Sequence, residues 1–250
     1  MWRSFGLDVL EEDVRSVQLD KGSKPTDGAM KMTVVSRLAP PCLAWGFRVT
    51  TTYTLRDDST LTVRVVMEPQ GPIPESLPRV GLEMNLPTEF TKVAWCGRGP
   101  GQSYRDSCRG AKIGIYEAHI DEMMTQYEVP QENGNRTNTR WVQVVNAQGV
   151  GLQAEVRDLL ESPPTSAAGH GGRKGFDFAV QRHTSDQLAK AKHPHELPKS
   201  DAVILRLDVA HHGLGSGSCG PKTWGEHVLK TQAFDFEVRL KYVQSKVSSR

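Results

Sequence analysis

Residues 45–67 read W-G-F-R-V-T-T-T-Y-T-L-R-D-D-S-T-L-T-V-R-V-V-M, and this stretch decides the fold. Large, mostly apolar residues recur at every second position on both sides of the polar residues 56–59. Because successive side chains of a β-strand point to opposite faces, this alternation predicts two strands that each bury one face. The short polar connection between them predicts an antiparallel hairpin.

The same alternation recurs in four further segments, at residues 80–86, 142–146, 150–156 and 234–242. An antiparallel sheet with one buried face explains all of them. Only one short helix is predicted, over residues 186–192, because Thr184 or Ser185 provides an N-cap and His193-Pro194 ends the helix. We therefore expect one all-β domain over residues 1–250, built as a large antiparallel sandwich.

Composition limits the classes of partner. The chain has 31 Lys+Arg and 29 Asp+Glu, a net charge of +2, and its basic residues are scattered. This favours neither nucleic acid nor an anionic membrane surface as a partner. No apolar run approaches the roughly 18–20 residues of a membrane span, and no signal peptide is recognisable at the start. The four cysteines lie far apart without metal-ligand spacing, so we expect reduced thiols and a cytoplasmic protein.

Three polar, glycine-containing loops interrupt the predicted strands: the first loop (residues 95–106), the second loop (127–136) and the third loop (211–221). Each follows a predicted strand. Their glycines permit tight turns and close backbone approach, so we expect the loops to gather at one end of the sandwich and to form a concave surface. In the second loop, Asn133-Gly134 predicts a turn that needs a positive φ.

The second loop is the most polar segment. Its Gln131, Glu132, Asn133 and Arg136 supply hydrogen-bonding groups that suit either a hydroxyl-rich ligand or the locking of neighbouring loops. A surface hairpin with a polar tip is the alternative. A glycosidase needs two carboxylates roughly 5–10 Å apart, and the candidates within these loops are Glu132 and Asp106. Neither has a local feature of an acid or a nucleophile, so the loops indicate a binding surface.

The loops resemble the C-terminal β-sandwich, or small-chain, domain of the glycoside hydrolase family 2 β-galactosidases. The resemblance is strongest over residues 79–243, and the third loop, with G-S-G-S-C-G-P, is most similar to fungal members. The matching motifs are W-C-G-R-G-P-G-Q-S-Y-R-D at residues 95–106, Y-E-V-P-Q-E-N-G-N-R at 127–136, L-A-K-A-K-H-P-H-E-L at 188–197 and L-D-V-A-H-H-G-L-G-S-G-S-C-G-P at 207–221. Where Gln102 stands, the family usually has Glu.

The resemblance implies a galactose-mutarotase-like supersandwich with a supporting role. In this family the catalytic glutamates and divalent-ion ligands lie in a (β/α)₈ barrel domain, and the sandwich sends a loop over the barrel pocket. It implies that Cys219, with Ser218 and His211, contacts substrate. It also implies a scaffold made of Gln131, Glu132, Asn133, Arg136, Tyr104 and Asp106. No metal site is expected in this chain, whereas a full-length relative would use divalent and monovalent cations.

The resemblance thus predicts an accessory domain of a β-galactosidase that shapes the aglycone side of a galactoside (lactose) pocket. Its expected partners are galactosides and a barrel domain in cis or in trans, within an oligomer, and the isolated chain is expected to be inactive. The domain normally begins earlier in the family, so we expect an open sheet edge and an exposed apolar face. One alternative is a free-standing carbohydrate-binding or aldose-1-epimerase-like protein that uses His211 or His212 with Glu132. An oligomerisation module is another.

Overall fold

A computed structural model describes residues 2–20, 29–159, 175–198, 200–215 and 223–244 of the chain. Within these ranges the strands are β1 (Glu11–Asp20), β2 (Met30–Ala39), β3 (Gly46–Leu55), β4 (Thr60–Gln70), β5 (Arg79–Leu86), β6 (Phe90–Gly99), β7 (Lys112–His119), β8 (Arg136–Thr139), β9 (Trp141–Asn146), β10 (Val150–Asp158), β11 (Phe176–Gln181), β12 (Val203–His211) and β13 (Phe234–Gln244). One α-helix, α1, spans Ser185–Lys190. Short 3₁₀ turns span Trp2–Phe5, Leu7–Val9, Ile120–Glu122, Pro194–Glu196 and Gly225–His227.

The strands form two sheets, and every pairing between described strands is antiparallel. The large sheet has nine strands in the order β1-β2-β3-β4-β13-β10-β9-β6-β7, and the small sheet has four in the order β5-β12-β11-β8. The predicted all-β antiparallel fold is confirmed. The predicted hairpin is β3–β4, in which Leu55 lies opposite Leu61 and Tyr53 lies opposite Val63.

The hydrophobic core lies between the two sheets. Phe47, Val63 and Val65 point into it from the large sheet, and Phe178 and Leu207 from the small one. Burial of these side chains is the main favourable contribution to folding. In β11 and β12 every residue is buried on both faces, which removes the alternation that marks a half-buried strand.

The predicted helix is confirmed as α1. The Thr184 hydroxyl accepts a hydrogen bond from the Gln187 amide at 3.1 Å, and the Gln187 side chain accepts one from the Thr184 amide at 2.8 Å. This capping box satisfies two backbone N–H groups at the start of the helix. Leu188 is the buried residue of α1 and anchors it to the core. Among the described residues, no helix is long and apolar enough to cross a membrane.

The large sheet extends beyond the small one on the β1 side. Val17, Val34, Thr51 and Val65 lie opposite one another in a row across β1–β4, so they share a face. Val65 is 4% exposed, whereas Val17 is 58% exposed. The same face is therefore covered at β4 and open at β1. Between β3 and the edge strand β5 lies a cavity of about 420 Å³.

Candidate functional site

The three loops meet in the structure. The Tyr104 hydroxyl of the first loop donates to Glu132 Oε1 of the second at 3.4 Å. The Tyr104 ring also lies 5.5 Å from the ring of His211, the first residue of the third loop. The Gly215 amide of the third loop donates to Asp106 Oδ2 at 2.7 Å. Tyr104 and Asp106 therefore connect the first loop to the other two.

Arg79, the first residue of β5, joins two carboxylates at the centre of this loop cluster. Its Nη2 lies 2.6 Å from Glu132 Oε2, and its Nη1 lies 3.6 Å from Asp208 Oδ2. Burial lowers the pKa of Arg79, but the nearby charges of Asp208 and Glu132 outweigh this effect and raise it. Burial raises the pKa of Asp208 to about 7, although Arg79 acts in the opposite direction. Both carboxylates are thus held by a guanidinium within the protein.

The Asn133-Gly134 turn of the second loop is supported by the protein around it. Asn133 Oδ1 accepts from the Thr125 amide at 3.1 Å, and Asn133 Nδ2 donates to the Gln131 carbonyl at 2.8 Å. Gly134 has φ 78°, as the Asn-Gly pair predicts, and a Cβ there would lie 3.0 Å from the Met123 carbonyl oxygen. The Gln131 side chain, by contrast, is exposed.

Arg136 is a buried residue that hydrogen-bonds to both the first and the second loop. Its Nη1 donates to the carbonyls of Met123 and Gly134 at 3.2 and 2.8 Å, and its Nη2 donates to the Pro100 carbonyl at 3.0 Å. The guanidinium lies 5.5 Å from the centre of the Trp95 ring. Burial lowers the pKa of Arg136 to about 10, so it remains charged at neutral pH. A buried cation with three carbonyl acceptors locks the first and second loops together.

Gln102 makes a second connection between these loops. Its Oε1 accepts from the Thr125 hydroxyl at 2.8 Å and from the Gly134 amide at 2.9 Å. Its Nε2 donates to the Tyr127 hydroxyl. Gln102, Arg79 and Asp208 were not singled out in the sequence as site residues, because each acts on partners that are distant along the chain.

The structure places His211 inside the protein. We expected this residue at the substrate surface, but it is 2% exposed, its ring lies against Tyr104, and its Nδ1 lies 2.6 Å from the His212 carbonyl oxygen. Burial lowers the pKa of His211 to about 4, so the ring is neutral at pH 7. Ser218 and Cys219 lie outside the described residues, and their contact with substrate remains a prediction.

An exposed aromatic residue lies beside the described part of the third loop. Trp224 is 60% exposed, and its ring stacks on that of His227 with centroids 6.4 Å apart and planes 13° apart. The Gly213 amide donates to the His227 carbonyl at 2.9 Å. A Cβ at Gly213 would lie 2.6 Å from Asp106 Oδ2, so glycine permits this close approach.

Carboxylate and thiol side chains occur in the part of the chain that the structure describes. Within the described ranges, no group of three or more His, Cys, Asp or Glu side chains could hold a metal ion. Cys42, Cys96 and Cys108 are free thiols, of which Cys42 is exposed. Glu132 is bound by Arg79 and Tyr104, and Asp106 accepts a backbone hydrogen bond. These carboxylates maintain the loop arrangement.

Comparisons with known proteins agree with the motifs. The model of the β-galactosidase small chain family matches residues 1–240. A β-galactosidase of Arthrobacter sp. is 32% identical over 242 residues, which are 96% of this chain and 22% of the relative. A β-galactosidase of Kluyveromyces lactis is 30% identical over 246 residues, again 96% of this chain and 22% of the relative. The chain thus spans about a fifth of these relatives.

The chain was also similar to a solved structure, the galactosidase domain of the α-galactosidase-sucrose kinase AgaSK. The TM-score is 0.46 at 9% identity, over 94% of this chain and 28% of that one.

Proposed function

Because the chain belongs to the β-galactosidase small chain family, we propose that it is an accessory domain of a β-galactosidase and shapes the aglycone side of the galactoside pocket. Catalytic carboxylates would then lie elsewhere in the enzyme, on a barrel domain in cis or in trans. The complete enzyme would bind divalent and monovalent cations there, act on lactose in the cytoplasm and form an oligomer.

One observation carries this proposal: Glu132 and Arg136, two charged side chains of the loop cluster, are bound by other groups of the protein. Arg79 and Tyr104 contact Glu132, and the three carbonyls around Arg136 use its guanidinium as their donor. A glycosidase acid or nucleophile must instead be free to exchange a proton or bond with the sugar. The arrangement suits a rigid support for a loop that reaches a neighbouring pocket.

The epimerase-like alternative has less support. It requires an acid and a base on opposite sides of a sugar ring, and His211 or His212 with Glu132 was the pair to consider. His211 is buried beneath Tyr104, and the Trp2 ring packs against His212 at 5.1 Å. Glu132 is paired with Arg79. Each of the three groups is therefore engaged within the protein.

The test has two arms. The purified chain should hydrolyse neither lactose nor an aryl β-galactoside above buffer, and it should not accelerate the interconversion of galactose anomers. The chain should then restore hydrolysis to a Kluyveromyces lactis β-galactosidase from which the matching region has been deleted, either as a fusion or in trans. Turnover by the chain alone that Glu132→Gln abolishes would replace the accessory role with an enzymatic one, and accelerated anomer exchange would favour the epimerase.

A further inference from the structure

The face of the large sheet that forms the core is uncovered beyond the small sheet. Three residues of the edge strand β1 lie in cross-strand rows that lead to buried valines of β3 or β4. These three, Val14, Val17 and Leu19, are 54%, 58% and 49% exposed. Met30 of β2 and Leu55 of β3 lie opposite each other on the same face and are 61% and 46% exposed. These five side chains form an open face, and a continuous apolar patch of this kind marks an interaction site.

A groove runs along the boundary between the open face and the small sheet. β5 is the last strand of the small sheet, and among the described strands it pairs only with β12. The cavity of about 420 Å³ lies beside it and is lined by Leu82 of β5 and Tyr53 of β3. Beyond β3 the large sheet continues with β2 and β1, which add about 10 Å of width at the usual strand spacing. One or two further strands beside β5 would therefore cover the open face.

The free side of β5 determines what kind of segment fits the groove. The outward N–H and C=O groups of an edge strand can pair with another strand, but not with a helix, whose own backbone groups are already paired. A strand beside β5 would also set every second side chain against the open face. An extended segment thus matches both the edge and the face.

The charges at the groove favour a basic segment. β1 carries four carboxylates and one guanidinium, a net charge of −3, and its Glu12 lines the cavity. Glu83 of β5 also lines the cavity, and its side chain remains 51% exposed although it is paired with Arg206. Arg79 is engaged within the loop cluster. A second copy of this chain, docked through the same edge, would instead bring two strands of net charge −3 together.

We propose that the open face and the free side of β5 form a docking groove for a β-strand of a partner polypeptide in which apolar residues alternate with lysine or arginine. The strand pairs with β5, sets its apolar side chains against the open face and places its basic side chains near Glu83 and β1. This inference deepens the proposed function and rests on it where it identifies the partner as the barrel-bearing part of a β-galactosidase.

The first test uses a short synthetic peptide in which valine alternates with lysine, titrated into the purified chain and followed by hydrogen–deuterium exchange. The peptide should slow exchange of the β5 amides and bind at least about tenfold more tightly than a peptide that alternates valine with glutamate. A peptide that alternates serine with lysine keeps the charge but loses the apolar face, so its binding should be weaker by a similar factor. Equal binding of the three peptides, or binding that leaves β5 exchange unchanged, would overturn the groove.

Val17→Lys and Met30→Lys should each weaken binding of the valine–lysine peptide about tenfold, because each places a positive charge on the open face. Ile115→Lys is the matched control, since Ile115 is 71% exposed on β7, the edge strand at the opposite end of the large sheet. It should leave binding unchanged. A defined dimer of the chain at the concentrations of the titration, dissociated by Val17→Lys but not by the peptide, would show that a second copy fills the groove and that the inference is wrong.

The second test identifies the partner. The chain should bind the Kluyveromyces lactis β-galactosidase from which the matching region has been deleted, and Val17→Lys should weaken this association whereas Ile115→Lys should not. Restored hydrolysis that Val17→Lys leaves intact would remove the docking groove and keep the accessory role. Peptide binding in the groove without restored hydrolysis would keep the groove and remove the accessory role, together with the assignment of the partner.

Discussion

The Arg79 guanidinium lies 2.6 Å from the Glu132 carboxylate, so the most polar segment of the chain is tied to the first residue of β5. Arg79 also reaches Asp208 in β12, and Glu132 accepts from Tyr104 in the first loop. One ion pair thus links the small sheet to two of the three loops. This explains how a long polar loop keeps a defined position.

Glu132→Gln should destabilise the chain. It removes the charge that pairs with Arg79 and leaves a half-buried guanidinium with only the longer contact to Asp208. We expect the free energy of unfolding to fall by about 1–3 kcal/mol, measured by chemical denaturation. Glu128→Gln, at an exposed position in the same loop, is the control and should change stability by less than about 0.5 kcal/mol. Equal stability of the two variants would contradict a supporting role for Glu132.

Asp208→Asn should change how stability depends on pH. Burial raises the pKa of Asp208 from 3.8 to about 7, so the folded chain keeps a proton that the unfolded chain releases in this interval. Protonated Asp208 therefore contributes to the free energy of unfolding fully below about pH 4, and this contribution is lost as the pH rises to 7. Relative to the unaltered chain, Asp208→Asn should therefore gain stability as the pH rises across the interval, by roughly 1 kcal/mol for each pH unit.

His211 acts in the opposite direction and must be considered in that measurement. Burial lowers its pKa from 6.5 to about 4, so its contribution is present above the higher value and is lost as the pH falls. In the unaltered chain, Asp208 and His211 change the free energy of unfolding in opposite directions as the pH changes. Only the difference between Asp208→Asn and the unaltered chain isolates Asp208, and a difference that stays constant with pH would show that Asp208 is ionised throughout.

Gln102→Glu should be tolerated, whereas Gln102→Leu should not. A glutamate at this position can still accept from Thr125 and Gly134, and the Tyr127 hydroxyl can donate to it. Leucine leaves those donors without their acceptor, at a cost of about 1–3 kcal/mol. Thermal unfolding should show a clearly lower Tm only for the leucine variant. A large fall in Tm for Gln102→Glu would instead mean that the hydrogen bond that Gln102 donates is indispensable.

Val17→Lys should alter association and leave folding intact. Val17 is 58% exposed in β1, whereas Val65 in the same row is 4% exposed. We expect Val17→Lys to change the free energy of unfolding by less than about 0.5 kcal/mol. It should reduce self-association at high concentration, measured by light scattering, because a charge on an apolar edge strand opposes strand pairing. Val65→Ala, the buried comparison, should cost about 2 kcal/mol. A similar cost for both would mean that Val17 is covered in solution.

Local patterns in the sequence determined the elements with one buried face and the turns with their own chemistry. The alternation of residues 45–67 predicted β3 and β4, the Thr184 cap predicted α1, and Asn133-Gly134 predicted a positive φ. In each of these cases the deciding interaction joins residues that are close in the chain. The motif resemblance likewise identified the family without a three-dimensional structure.

Only the tertiary structure decided the contacts that join distant segments. The structure showed that β12 is buried on both faces and that His211 at its end lies against the Tyr104 ring. The pairing of Arg79 with Glu132 and Asp208 depends on how β5 pairs with β12 and on where the second loop crosses them. Ion pairs and buried polar contacts depend on distance in space, and a single sequence records only distance along the chain.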